Sequence, residues 1–377
     1  MEAYDELFRW AQNKDIEWHG IEPREIPGRG IGIVATKPLQ TNERLIHVPT
    51  SALRTVETIR PKVKKALPRG TKVHAILAAD LALDTPRCKY SPWNGVIPSR
   101  SSIFASLPLA WDPALHVYLP KPASALLQKQ QAKFARDWSA VQSSALRSSI
   151  PARQDFLYAW LLVNTRTFYH ETPRTARLPR DDRMVLQPVA DLFNHADRGC
   201  EVAFTPASFA ISADREYAAG EEVYICYGKH SNDFLLVEYG FVMERNRWDE
   251  VCVDEAVMPE LGEEQTRVLE ERGFLGNYVL DEGTVCYRTQ VAVRLLCVPR
   301  EEWERLLDEG EDGGQEVQRR VDRLLVGMLG KYRERIDGKI RELESIEVGE
   351  ACQRKMLVMR WEQIRRLIDQ TIERLDA

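Results

Sequence analysis

Two groups of short β-like runs, far apart in the chain, bracket a long stretch of helical character. That order leaves few architectures open. "IGIVAT" (31–36) and "RLIHVP" (44–49) are β-rich and are joined by the polar link "KPLQTNE". "EVAFT" (201–205) and "FAISA" (209–213) flank "PAS" as the arms of a hairpin would, and "EVYICYG" (222–228) alternates and ends at glycine. Between the groups, "HAILAADLAL" (74–83), "ASALLQKQQAKFARDWSAV" (123–141) and "RQDFLYAWLLVNTRTFY" (153–169) carry apolar residues at helical spacing, separated by loops such as "KYSPWNGVIPSRSS". The pattern predicts an α+β chain: a β-rich core split by a helical insertion at about 51–185, then an all-α C-terminal domain.

The two ends are helical. Tyr4, Leu7, Phe8 and Ala11 share one face of an N-terminal helix. From about Met243 onward, Val317, Val321, Leu324, Met328 and Tyr332 form one stripe. Leu357, Trp361, Ile364, Ile368, Ile372 and Leu375 form another, and "IEVGEA" (346–351) breaks them into a hairpin. The expected domains are 1–242, with the N-terminal helix, and 243–377. A length of 377 residues fits two domains.

Net charge is −5, which argues against nucleic acid as a direct partner. The basic run "RPKVKKALPRGTK" (60–72) reads as a solvated surface or as a dock for an acidic partner. Seven scattered cysteines without any C-x-x-C fit free thiols in a reducing compartment, with no zinc site. The N-terminus lacks the apolar core of a secretory signal, and no stretch is long enough to span a bilayer. These features predict a cytoplasmic or nuclear protein without membrane contact.

Three segments could carry chemistry. "PGRGIGIVATKP" (27–38) is glycine-rich, but its glycines precede a β-run and Gly28, Gly30 and Gly32 do not give G-x-G-x-x-G, so it is no dinucleotide fingerprint. It is either a tight turn or a place where bare backbone approaches a ligand. "QPVADLFNHADRG" (187–199) gathers Asp191, Asn194 and His195. His195 by itself reads as a core histidine bonded to backbone, and Asn194 offers both a donor and an acceptor. "EEVYICYGKHSNDFLLVEYGFV" (221–242) holds two Tyr-Gly pairs, Tyr227-Gly228 and Tyr239-Gly240. Without G-x-S-x-G, and with Ser231 beside His230 only in sequence, a Ser-His-Asp hydrolase finds no support.

Taken together and in order, "GRGIGIVA", "NTRTFYH", "DLFNHADRG" and "ICYGKHSNDFLLVEYGF" resemble the SET-domain protein methyltransferases. Within them the chain is similar to the Rubisco large-subunit methyltransferase type, whose relatives modify ribosomal proteins, elongation factors and an actin histidine. The match runs from about Gly20 to Val242. The helical tail is similar to that family's substrate-binding domain by position and periodicity. The resemblance implies a pseudoknotted β-rich SET core in which Tyr227 and Asn194 converge. It implies S-adenosylmethionine as cofactor and a non-histone protein substrate such as a ribosomal protein or elongation factor; the chain is expected to be a monomer.

The same resemblance implies residue roles. Tyr227 would be the catalytic phenol. The backbone of Arg29, Gly30 and Ile31 would meet the methionine part of the cofactor, and Arg166 its carboxylate. Asn194 would hold the amino group and, with His195, the adenine, with Asp191 lining the pocket. Tyr239 and Phe241 would wall the lysine channel and the cofactor pocket. No strong base is implied: an ammonium ~4 Å from a sulfonium at an effective dielectric of ~20 is disfavoured by about 4 kcal/mol, roughly 3 pKa units. Thr165 stands where the family often has serine. Ala190 stands where the histidine-modifying branch has tryptophan, and Thr167 where it has asparagine. The Ala190 and Thr167 differences favour a lysine-type channel over the alternative of histidine methylation. A second alternative is a SET-like binding module without turnover.

Overall fold

The computed structural model describes residues 2–150, 152–171, 175–205, 207–310 and 313–377. Eleven strands run through these residues: β1 (Glu17–Trp18), β2 (Ile21–Ile26), β3 (Gly30–Ala35), β4 (Arg44–Pro49), β5 (Thr167–Tyr169), β6 (Met184–Leu186), β7 (Asn194–Phe204), β8 (Ser208–Ser212), β9 (Glu222–Ile225), β10 (Glu250–Cys252) and β11 (Val279–Asp281). The chain forms two compact units. One comprises the residues up to Leu109 with Leu127–Lys229; the other comprises Ala110–Leu126 with His230–Ala377.

The first unit is built on a seven-stranded sheet, ordered β1-β4-β8-β7-β9-β3-β2. Strands from both sides of the helical insertion interleave in it: β4 pairs with β8 and β3 with β9, both antiparallel. The expected hairpin is present, with Phe204 opposite Phe209. Its first arm is longer than the pattern suggested, because β7 begins at Asn194. Alternation along β9 works as predicted: Val223 and Ile225 are buried, whereas Glu222 and Tyr224 are partly exposed. β2 was not expected. Its sequence, "IEPREI", holds one proline and three charged residues, and pairing along the whole of β3 makes it a strand.

The insertion is helical as predicted, with two refinements. The helix of the third run ends at Arg166, and Thr167–Tyr169 becomes β5, paired with β6. The Val73–Ala82 helix is buried around nearly its whole circumference. His74 Nε2 donates to the Trp160 carbonyl at 3.0 Å and the two rings stack at 4.2 Å. Burial lowers the His74 pKa to about 3. Arg54 is fully buried and grips Asp84 with both terminal nitrogens (2.7 and 2.9 Å), while its Nε reaches Asp80 at 2.9 Å. In the basic run, Arg60 and Lys72 are ion-paired with Asp80, Asp84 and Asp182, whereas Lys62, Lys64, Lys65 and Arg69 are exposed.

The second unit is mainly helical, with one short ribbon of β10 and β11. Helices Gly314–Ser345 and Ala351–Asp376 form the predicted hairpin, the second opened by a capping box of Glu350 and Gln353. In the first of them Leu325, not Leu324, is the buried leucine of the stripe. Besides Ala110–Leu126, the unit takes in the chain from His230 onward, starting within the segment expected to close the β-rich domain at 242. The reason is a set of bonds to residues farther along the chain in the same unit. Asn232 donates to the Met243 carbonyl at 3.0 Å and to Gln363 at 3.0 Å, and fully buried Arg360 holds Asp233 at 2.8 Å and Asp249 at 2.6 Å. Among the described residues no helix is long and apolar enough to cross a membrane.

Candidate active site

The pairing of β9 with β7 creates the first part of the site. The two strands run parallel, with Asn194 opposite Tyr224 and His195 opposite Ile225. The approach is close. A Cβ at Gly199 would lie 2.7 Å from both Ile225 Cα and the Tyr224 carbonyl oxygen, so glycine is required there. Beyond β9, the Tyr227 N–H donates to His195 Nδ1 at 3.0 Å. The Tyr227 hydroxyl donates to the Phe193 carbonyl at 2.7 Å, and the His195 and Tyr227 rings lie 4.9 Å apart. Nδ1 accepts, so the neutral ring carries its proton on Nε2. The His195 side chain therefore braces Tyr227 through the backbone, as a core histidine would.

The end of the 153–166 helix supplies the second part. Arg166 NH1 donates to the Asp191 carbonyl at 2.8 Å and to its carboxylate at 3.0 Å. The Trp93 indole donates to the same carboxylate, 3.1 and 3.0 Å from its two oxygens. Burial pushes the Asp191 carboxyl up, opposed by Arg166 and Trp93. Asp191 thus fixes Arg166; its carboxylate is enclosed, with its side chain 1% exposed. Arg166 Nε is buried and has no hydrogen-bond partner among the described residues. Such a donor is costly unless a ligand atom meets it. Ala190 is fully buried and shows no surface to a channel. The Thr165 hydroxyl turns back onto the Leu161 carbonyl of its own helix at 2.9 Å.

The third part is polar. Asn194 Nδ2 donates to Glu222 Oε1 at 2.8 Å. Glu222 Oε2 accepts from the Tyr224 hydroxyl at 2.8 Å and pairs with Arg29 at 2.7 Å, and Arg29 also donates to the Tyr224 hydroxyl at 2.9 Å. β3 passes beside this cluster at Gly32. Arg29, Gly30 and Ile31 lie just before it, and Gly30 has φ +73° with nothing within 4 Å of where a Cβ would stand. The bare backbone at Gly30, the unpartnered Arg166 Nε and the Asn194 amide are the polar groups that this region leaves for a ligand with a carboxylate and an ammonium to be tested against.

Tyr239 and Phe241 belong to the second unit. Ser231 precedes the helix Asn232–Tyr239, which Gly240 ends in the left-handed conformation at φ +82°. Tyr239 stands 6.3 Å from His230, 6.4 Å from Phe234 and 6.4 Å from Phe241, ring centre to ring centre. His230 stacks on Phe234 at 4.1 Å.

Motif reading alone missed Glu222, Trp93 and Gly199, and it named Gly32 only as part of a glycine-rich segment. Glu222 carried a signal, since it shares a strand face with Tyr224 by the period of two. Trp93 carried none, because its partner Asp191 lies 98 residues away. Among the described residues no group of histidine, cysteine, aspartate and glutamate could hold a metal ion.

The SET domain family matches residues 30–228, and the Ribosomal lysine N-methyltransferase 2 C-terminal domain matches 249–374. SET domain-containing protein 4 of Mus musculus is 27% identical over 332 residues, covering 80% of this chain and 75% of that protein. Ribosomal lysine N-methyltransferase set11 of Schizosaccharomyces pombe is 25% identical over 331 residues, covering 87% of this chain and 82% of that protein. Among solved structures, Rubisco LSMT bound to sinefungin and monomethyllysine superposes with a TM-score of 0.64 at 16% identity, covering 100% of this chain and 92% of that one, which shows a shared fold.

Proposed function

The chain belongs to the SET domain family, and we propose that it is an S-adenosylmethionine-dependent protein-lysine N-methyltransferase. The observation that carries this reading is the Tyr227 hydroxyl held at 2.7 Å on the Phe193 carbonyl, beside Asn194 and His195. Its proton is committed to that carbonyl, so the phenolic oxygen is held in one orientation and its remaining capacity is as an acceptor. Rate enhancement by such a fixed group comes from positioning and preorganised dipoles.

When bound, S-adenosylmethionine supplies an electrophilic methyl group on a sulfonium. The residues present fit it. Arg166, steadied by Asp191, would hold the carboxylate through its otherwise unpaired Nε. Asn194 would hold the amino group, and the backbone of Arg29, Gly30 and Ile31 would line the methionine portion. His195 keeps Tyr227 in register.

The substrate we propose is a non-histone protein of the translation machinery, a ribosomal protein in the first instance, acted on in the cytoplasm. The match of 249–374 to a ribosomal methyltransferase C-terminal domain and the likeness to set11 support this. Lysine is favoured over histidine by the ribosomal lysine N-methyltransferase match of the C-terminal domain and by the likeness to set11; the fully buried Ala190 adds nothing to that choice.

Ligand linkage tests the cofactor assignment. S-adenosylhomocysteine at 100 times its Kd would stabilise the protein by about 2.7 kcal/mol, read as a rise in melting temperature. No rise at saturating ligand would leave a SET-like binding module as the better description.

A further inference from the structure

Glu222 is 9% exposed at its side chain and meets only donors: the Asn194 amide, the Tyr224 hydroxyl and the Arg29 guanidinium. A carboxylate that accepts from an asparagine must face the amide nitrogen, never the amide oxygen. The contact therefore fixes which way Asn194 is turned, leaving Oδ1 as the acceptor directed away from Glu222. Arg29 and Tyr224 hold Glu222 from its other side, so the carboxylate cannot swing to follow the amide.

Gly32 shows how tightly the pair is built in. A Cβ at that position would stand 2.6 Å from Glu222 Oε1 and 2.8 Å from Asn194 Nδ2. Both atoms are polar tips of the same hydrogen bond, packed over bare backbone on β3. Neither the sequence motifs nor the family match assigns Glu222 a part in the site.

We propose that Glu222 is a positioning residue: it turns Asn194 so that the amide oxygen accepts from the ammonium group of the cofactor's amino-acid end. The inference rests on the cofactor reading given above. Arg29 and Tyr224 act one step further out by fixing Glu222.

The test compares two ligands that share the nucleoside and the sulfur. S-adenosylhomocysteine carries the amino-acid end, and 5′-methylthioadenosine lacks it. Calorimetry on the full chain with Glu222→Ala is expected to show S-adenosylhomocysteine weakened about tenfold or more, the scale of one charge-assisted hydrogen bond, with methylthioadenosine unchanged. Glu222→Gln, which keeps an acceptor oxygen for Nδ2, is expected to fall between. In an Asn194→Ala background, Glu222→Ala is expected to cost little more, because it acts through that residue. Equal weakening of both ligands would make Glu222 a strand brace and overturn the proposal. Fully additive losses with Asn194→Ala would overturn it too. A wild-type chain that binds neither ligand would instead refute the cofactor reading, and this inference with it.

Discussion

Tyr227 donates its hydroxyl proton to the carbonyl of Phe193 at 2.7 Å, 34 residues away in sequence and immediately before Asn194. The bond sets the rotamer of the ring and the direction of its lone pairs. Removing the hydroxyl leaves the ring packed on His195 but deletes the oxygen. Tyr227→Phe is expected to reduce turnover by about 10²-fold or more, the scale of losing one preorganised group, while S-adenosylhomocysteine still raises the melting temperature. Initial rates with thermal shifts check this; full activity in the variant would remove the assigned role.

Arg166 uses one terminal nitrogen on Asp191 and keeps Nε buried. A lysine has a single point of charge and cannot serve both directions. Arg166→Lys is expected to raise the KM for S-adenosylmethionine by about tenfold or more, on the scale of one charged hydrogen bond, with a smaller effect on kcat. Steady-state kinetics at saturating protein substrate separate the two. An unchanged KM would place the cofactor carboxylate elsewhere.

The broad architecture was legible because its signals are local. Alternation gave β9, helical spacing gave the 73–82 and 121–142 helices to within two residues, and "IEVGEA" gave the break between the long helices. The convergence of Tyr227 with the Asn-His segment was reached by resemblance, since nothing in the spacing of residues 193 and 227 announces a parallel strand pair. What stayed hidden depends on partners distant in sequence. β2 is a strand because β3 accepts it, not because "IEPREI" favours one. Thr167–Tyr169 continues a helical pattern yet pairs with β6. Asn232 looked like part of a site motif, but its amide is taken up by Met243 and Gln363.

Gly32 has the room of a hydrogen atom beside Asn194 and Glu222. Gly32→Ala is expected to push the pair apart, costing on the order of 1–3 kcal/mol of stability as overpacking does, and to weaken S-adenosylhomocysteine binding. Urea unfolding and calorimetry read the two effects. A variant with native stability and native affinity would show that the strand yields there.

His74 sits buried on Trp160 with its pKa lowered from 6.5 to about 3 by burial. Below pH 6.5 the unfolded chain takes up a proton that the folded chain refuses. Its contribution to stability is therefore fully present above pH 6.5 and falls as pH drops toward 3, by up to about 1.4 kcal/mol per unit. From pH 6.5 to 5 the loss is about 2 kcal/mol. His74→Phe keeps a ring for the stack and is expected to flatten this part of the profile, measured as urea midpoints at pH 7 and 5. An equal loss in both proteins would assign the acid sensitivity to other groups.

The most direct measurement transfers a labelled methyl group. The purified protein is incubated with methyl-labelled S-adenosylmethionine and ribosomal proteins from cells that lack it, and the modified residue is mapped by mass spectrometry. Label is expected on a lysine Nζ, dependent on Tyr227. Label on an imidazole, or none above the enzyme-free control, would contradict the assignment as a protein-lysine methyltransferase.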